Sequence, residues 1–305
     1  MTINQIDSPQ TLEEIAKLLS QSNRYQVLER FEQLKQYHPS DDSDEMEKLI
    51  GVYLDTETTG LDYKNDKIIE LALVPFEYSQ DGRIFKILDS YSSFQDPGEP
   101  LNEQISLLTG ITDDMVKDQI IDNEQVESIV QSASLIVAHN SSFDRKFVEK
   151  QFPMFKQSAW GCSYTQVPWR QENISSAKLE YLAYKFGFFY NAHRAEVDCL
   201  VGVHLLAQLL PQSKELVFKA LLDNAKEKSY IIWAINTPFS TKDILKSRGY
   251  RWNDGNNGKP KAWYIEINNE QAKALEQDFL SQHIYQSNVV PTIEEINPFN
   301  RFSGR

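Results

Sequence analysis

Three short clusters of acids and histidine carry the residue types that hydrolytic chemistry needs. The first is Asp55-Thr56-Glu57, at the end of a run of strand-forming residues. Residues i and i+2 of a strand point to the same face, so these two carboxylates converge on one spot. Two unpaired acids side by side repel each other, a penalty that a divalent cation removes. The second is His139-Asn140-Ser141-Ser142-Phe143-Asp144, where the apolar run LIVAH gives way to a helical pattern. Strand-to-helix junctions present polar groups at a sheet's edge. Asp144 falls in the first helical turn, where an acid also complements the helix dipole. The third is His193-Arg194-Ala195-Glu196-Val197-Asp198, opening a helix whose buried face carries Val197, Leu200, Val201 and Leu205. Asp198 lies close to that face, and a carboxylate turned toward an interior needs a partner or a metal. His193, just before the helix, is within reach of the same place.

Together these segments supply four carboxylates and a histidine. Mg²⁺ is held by few carboxylates and several waters, and two such ions ~3.5–4 Å apart stabilise the attacking and leaving oxygens of a phosphoryl displacement. A nearby histidine can take the proton from the attacking water. The constellation points to metal-dependent phosphodiester hydrolysis.

The patterns D-T-E-T-T-G-L, H-N-x-x-F-D and H-x-A-x-x-D occur in that order, with Leu108-Thr109-Gly110-Ile111-Thr112 between the first and second. The set resembles the exonuclease motifs of the DEDD superfamily, over about residues 49–210. A tyrosine branch of that superfamily places Tyr four residues before the last Asp. Here that position is Arg194, and His193 lies five before, so the match is to the histidine branch, which includes the proofreading (epsilon) subunit of bacterial DNA polymerase III. The resemblance implies a ribonuclease H-like α/β fold. It also implies two Mg²⁺ or Mn²⁺ ions held by Asp55, Glu57, Asp144 and Asp198, with His193 as general base. Thr58, Gly60 and Leu61 would seat the terminal 3′ nucleotide, with Leu108, Thr109, His139 and Asn140 near the substrate. The implied activity is a 3′–5′ exonuclease releasing nucleoside 5′-monophosphates from DNA, at single-stranded or frayed 3′ ends, in proofreading or repair. An RNA-trimming exonuclease shares the motifs, and a polymerase-associated scaffold that has lost catalysis is the rival from another class.

The elements that must position these residues can be read from periodicity. Thr11 with Glu14 fits a capping box, followed by Leu12, Ile15, Ala16 and Leu19 at helical spacing. Val27, Leu28, Phe31 and Leu34 suggest a second helix over residues 25–37, and Pro39 to Glu47 reads as a solvated linker. From Leu49 the period becomes that of strands: 49–55, 67–78 and 83–94 form an antiparallel meander. Helical segments around 102–109 and 122–132, a buried strand at 135–139, a helix from near Ser142 and two helices at about 175–187 and 194–210 follow. Strands first, then helices around one more strand, imply a mixed sheet covered by helices. A helix near 213–226 leads to a second unit, with strands at 230–235, 250–252 and 261–267 and helices at 240–249 and 268–284. The expected division is therefore an N-terminal helical extension with an acidic linker (1–48), the exonuclease domain (49–212), a helix plus a small α+β domain (213–285) and a loosely held tail (286–305).

Composition narrows the classes further. The chain of 305 residues carries a net charge of −13, so bulk attraction for phosphate is excluded and any nucleic-acid binding must be local. No apolar run approaches the ~20 residues of a membrane helix, and the first residues lack a secretory pattern, so the cytoplasm is the expected location. Cys162 and Cys199 are too few for a disulfide framework or a cysteine zinc site and read as buried thiols. Residues 229–267 hold six basic and three acidic residues, interleaved with Tyr250, Trp252, Trp263 and Tyr264, as in surfaces that bind single strands or in a small aromatic core. The run from Tyr184 to Tyr190 reads as packing of a helix end. No polymerase domain, helicase motif or P-loop is present, so the nuclease works alone or joins a polymerase partner in trans.

Overall fold

The computed structural model describes residues 9–39, 46–287 and 289–304. In chain order the N-terminal elements are α1 (Pro9–Gln21), β1 (Glu29–Arg30), β2 (Leu49–Thr58), β3 (Ile68–Tyr78), β4 (Ile84–Ile87) and β5 (Tyr91–Phe94). There follow α2 (Glu103–Thr109), α3 (Asp113–Val116), α4 (Asn123–Ser132), β6 (Leu135–Ala138), α5 (Ser141–Gln151), β7 (Trp160–Cys162), α6 (Leu179–Lys185), β8 (Phe188–Phe189), α7 (Ala195–Leu206) and α8 (Val217–Lys226). The last elements are β9 (Ser229–Ala234), α9 (Lys242–Ser247), β10 (Arg251–Asn253), β11 (Ala262–Ile267), α10 (Glu270–Phe279), which runs into a π-helical turn, and β12 (Thr292–Ile296).

The main sheet is mixed, in the order β4-β3-β2-β6-β7, with β5 also paired to β3. β2 and β3 are antiparallel, while β6 joins β2 in parallel and β7 joins β6 in parallel. The expected third strand is broken at 88–90, so β4 and β5 pair with different stretches of β3. Alternation along β2 feeds two cores. Val52 and Leu54 pack on one face with Ile136, Phe147 and Val148, while Tyr53 packs on the other with Cys199, Val203 and Phe218. Helix α7 lies unusually close to this second face because Gly202 sits over Tyr53. A Cβ at Gly202 would stand 2.1 Å from the Tyr53 ring.

Several expectations are corrected. Helix α1 begins at Pro9, so Thr11 lies inside the helix rather than at its cap. The stretch 25–37 is not a helix. Glu29 and Arg30 pair with Phe188 and Phe189, and Tyr37 N–H bonds the Phe85 carbonyl. Its apolar side chains find a partner in extended form: the Phe31 and Tyr37 rings stand 5.4 and 5.7 Å from the His204 ring. Exposed sheet edges outbid a short helix of weak intrinsic stability. Residues 40–45 of the expected linker lie outside the described residues. Helix α8 contributes Val217, Phe218, Leu221 and Leu222 to the main core, so it packs with the exonuclease unit and not with the small domain.

The tail is likewise not loose. β12 pairs antiparallel with β9, making a four-stranded sheet β10-β11-β9-β12. Residues 297–303 then lie against the main domain. The fully buried Arg145 donates to the carbonyls of Phe299 (2.6 Å), Arg301 (2.7 Å) and Pro298 (3.3 Å), and its Nε pairs with Glu149 at 2.8 Å. A buried guanidinium requires such a set of acceptors, and the tail's carbonyls supply them. No described helix is long and apolar enough to cross a membrane.

Candidate active site

Asp55 and Glu57 stand at the end of β2 on the face that α7 covers, because they share the parity of Tyr53. Asp198 is in the first turn of α7, and the close α7 approach at Gly202 brings it to the same place. Oxygens of Asp55, Glu57 and Asp198 lie within 4.8 Å of one another. Asp144 arrives from the other face, in the first turn of α5, and is buried. Thr56, which points opposite to Asp55 and Glu57, holds it: the Thr56 N–H (3.2 Å) and hydroxyl (2.8 Å) both donate to Asp144 Oδ1.

The electrostatics follow from this crowding. Burial, then the charges of Asp144, Asp198 and Glu57, push Asp55 well above the carboxylate range. Burial and the neighbouring acids Asp198 and Glu70 raise Glu57 to about 8. Burial raises Asp144 to about 7, against the two Thr56 hydrogen bonds, which favour its ionised form. Burial also raises Asp198, opposed by its hydrogen-bond donors. Hard oxygen donors that cannot all ionise unaided fit Mg²⁺ or Mn²⁺, which prefer carboxylate ligands.

Asp198 organises the segment before its own helix. Its Oδ2 accepts the backbone N–H of His193 (2.8 Å) and of Arg194 (3.1 Å), and its Oδ1 accepts the Tyr190 hydroxyl (2.8 Å). His193 is half-buried at a left-handed φ of 66°. A β-carbon in that region costs free energy, so the hydrogen bonds on either side must hold the residue there.

The motifs assigned no role to Tyr190, Thr56 or Glu70. Glu70 is buried opposite Glu57 in the β2–β3 register and pairs with Arg194. A lone acid inside the strand pattern KIIELALV was the available signal, since a carboxylate flanked by isoleucine and leucine must have a partner.

The residues expected near the 3′ nucleotide divide into two groups. Leu61 is 86% exposed, Leu108 54% exposed, and Asn140 is exposed at the start of α5. Thr58 and Thr109 are buried, their hydroxyls donating to Gly60 O (2.6 Å) and Ile105 O (2.9 Å). Gly60 lies against the Asp66 carboxylate, where a Cβ would stand 2.5 Å from Oδ2. His139 is turned inward. Its Nδ1 meets Ser163 Oγ at 2.9 Å and its Nε2 meets Ala177 O at 2.7 Å, and burial lowers its pKa to about 4. Both ring nitrogens therefore have partners within the fold, and His139 braces the strand–helix junction.

The exonuclease family model RNase_T matches residues 52–206, which contain all five of these acids and His193. The chain belongs to this exonuclease family. Its acids follow the DEDD pattern, and the matched stretch is similar to a segment of a DNA polymerase III. The family's chemistry depends on divalent metal, consistent with the acidic cluster. The "DNA polymerase III PolC-type" of Staphylococcus aureus is 34% identical over 176 residues, covering 54% of this chain and 12% of that relative. The chain thus corresponds to about an eighth of that relative's length. The exonuclease fold is also that of E. coli Exonuclease I in complex with a dA16 oligonucleotide, with TM-score 0.50 and 13% identity over 72% of this chain and 63% of that one.

Proposed function

We propose that this exonuclease removes nucleotides from the 3′ end of DNA, preferring single-stranded or frayed ends, and releases nucleoside 5′-monophosphates. The convergence of Asp55, Glu57 and Asp198, with Asp144 beside them on Thr56, carries the reading. These four carboxylates would hold Mg²⁺ or Mn²⁺, two ions in the reading favoured here. When bound, the cations supply charge stabilisation for the phosphate and the departing 3′-oxygen.

The chain's own residues do the rest. His193 accepts the proton of the attacking water, and the Asp198 hydrogen bonds keep its backbone in place for that role. The exposed Leu61 and Leu108 offer apolar surface to the terminal base, and Asn140 a polar group. The likeness to a segment of a DNA polymerase III supports a role in proofreading or repair, which we place in the cytoplasm with a polymerase partner in trans.

Incubation with 3′-labelled DNA and RNA of one sequence, with Mg²⁺, with Mn²⁺ and with EDTA, tests the proposal. Stepwise release from DNA that EDTA stops is the expected result. Faster release from RNA would make it an RNA-trimming enzyme, and no release from either would make it a scaffold.

A further inference from the structure

Glu70 is 1% exposed on β3, directly opposite Glu57 on β2 and opposite Phe94 on β5. The three residues form one row across the sheet, ending beside the acidic cluster. Arg194 lies along this row. Its Nη2 and Nε stand 3.1 and 3.4 Å from the two Glu70 oxygens, and its guanidinium carbon is 5.4 Å from the Phe94 ring centre. Glu70 also accepts the N–H of Ala195, the first residue of α7, at 3.2 Å. Thus His193 is followed by two residues tied to Glu70, while its own N–H is tied to Asp198. A like-charged acid opposite a candidate metal ligand is unfavourable unless something is gained, and Arg194 pairs with it.

We infer that Glu70 is a positioning residue for the reaction: through Arg194 and Ala195 it fixes the segment that presents His193 to the acidic cluster. The inference rests on the proposed role of His193. The ion pair is half outside water, since the Arg194 side chain is 42% exposed and that of Glu70 2%. Its fork geometry sets a direction that a Lys at position 194 would not. Glu70 is buried beneath Arg194 and acts by holding a left-handed residue that would otherwise relax to a commoner backbone conformation.

The test compares Glu70→Gln, His193→Ala and the double variant on a 3′-labelled single strand in Mg²⁺. Glu70→Gln should lower kcat roughly 10–100-fold, as loss of a supporting hydrogen-bond partner typically does, with KM changed less than about twofold. The double variant should be no slower than His193→Ala, because Glu70 works only through His193. Independent, multiplying effects, or an unchanged kcat with a lowered Tm, would overturn the inference and leave Glu70 a structural ion pair. A second readout does not depend on turnover. The ring cross-peak of His193 in a ¹³C-histidine NMR spectrum, assigned by its loss in His193→Ala, should shift or broaden in Glu70→Gln while the other four histidines keep theirs. An unmoved His193 peak would overturn the inference even if the wild type proved inactive, an outcome that separately defeats the functional proposal. Should Glu70→Gln not fold, Arg194→Ala, which leaves Ala195 N–H on Glu70, takes its place with the same expected pattern.

Discussion

The Tyr190 hydroxyl donates to Asp198 Oδ1 at 2.8 Å, so a residue from the aromatic run before α7 holds one face of a candidate metal ligand. The hydrogen bond favours the ionised carboxylate, the form that binds a cation. Tyr190→Phe removes only that oxygen. The Mg²⁺ concentration for half-maximal hydrolysis should rise about tenfold, with kcat at saturating Mg²⁺ reduced far less. A magnesium titration of both proteins decides it, and superimposable curves would deny Tyr190 this role.

The crowding of Asp55, Glu57, Asp144 and Asp198 makes the cation-free fold sensitive to pH. Glu57 and Asp144 are raised in the folded state, to about 8 and about 7, chiefly by burial. Their contribution is fully present below the ordinary carboxylate range and is lost as pH rises through 7 and 8. In EDTA, Tm should therefore fall between pH 6 and pH 9, and Mg²⁺ should restore more of it at the higher pH. Asp55→Asn should abolish hydrolysis in Mg²⁺ yet raise Tm in EDTA at pH 8. Near-wild-type turnover by Asp55→Asn would refute the site.

For His193 the expectation is a smaller loss. A general base contributes typically ~10²–10⁴-fold, so His193→Ala should retain measurable activity and bind Mn²⁺ as the wild type does. Rates for His193→Ala within about twofold of the wild type would reduce His193 to a helix-entry residue.

Arg145 is the structural counterpart. Its removal leaves Glu149 buried without its ion pair and strips three tail carbonyls of a donor. Breaking a buried pair in this way costs about 3–5 kcal/mol, so Arg145→Ala should lower Tm sharply and expose residues 297–303 to proteolysis. An unchanged Tm would mean the tail is held elsewhere.

The C-terminal sheet presents Trp252, 51% exposed with its ring 5.6 Å from that of Trp263, beside the exposed Arg251 and Lys261. Tyr250 instead belongs to the core. Stacking on one base is worth ~1–3 kcal/mol. Trp252→Ala should therefore raise KM for a long single strand about fivefold or more, with hydrolysis of the p-nitrophenyl ester of thymidine monophosphate unaltered. Truncation after Lys228 would confuse this test, because it also removes the carbonyls that satisfy Arg145. Equal KM values would make the sheet a docking or stabilising module.

What the chain's own sequence determined is local. The i, i+2 spacing of Asp55 and Glu57, and the placing of Asp144 and Asp198 in first helical turns, are legible because strand and helix periods dictate where neighbours point. The alternation of strands and helices likewise announced a mixed sheet with helical layers. Tertiary structure decided which distant segments meet. The closeness of α7 to β2 depends on Gly202 facing Tyr53, and the Glu57–Glu70 opposition depends on strand register, neither of which has a signature in spacing. The stretch 25–37 has helical periodicity, yet it lies extended because backbone partners on β8 and β4 and the ring of His204 were open to it. His139 stood in a substrate-facing motif, but Ser163 and the Ala177 carbonyl claimed both its nitrogens. The tail became a strand because β9 had an open edge and Arg145 needed acceptors. Periodicity records which face of a segment is apolar; it does not record which remote donor, acceptor or edge will satisfy it, and that choice is made only when the whole chain is packed.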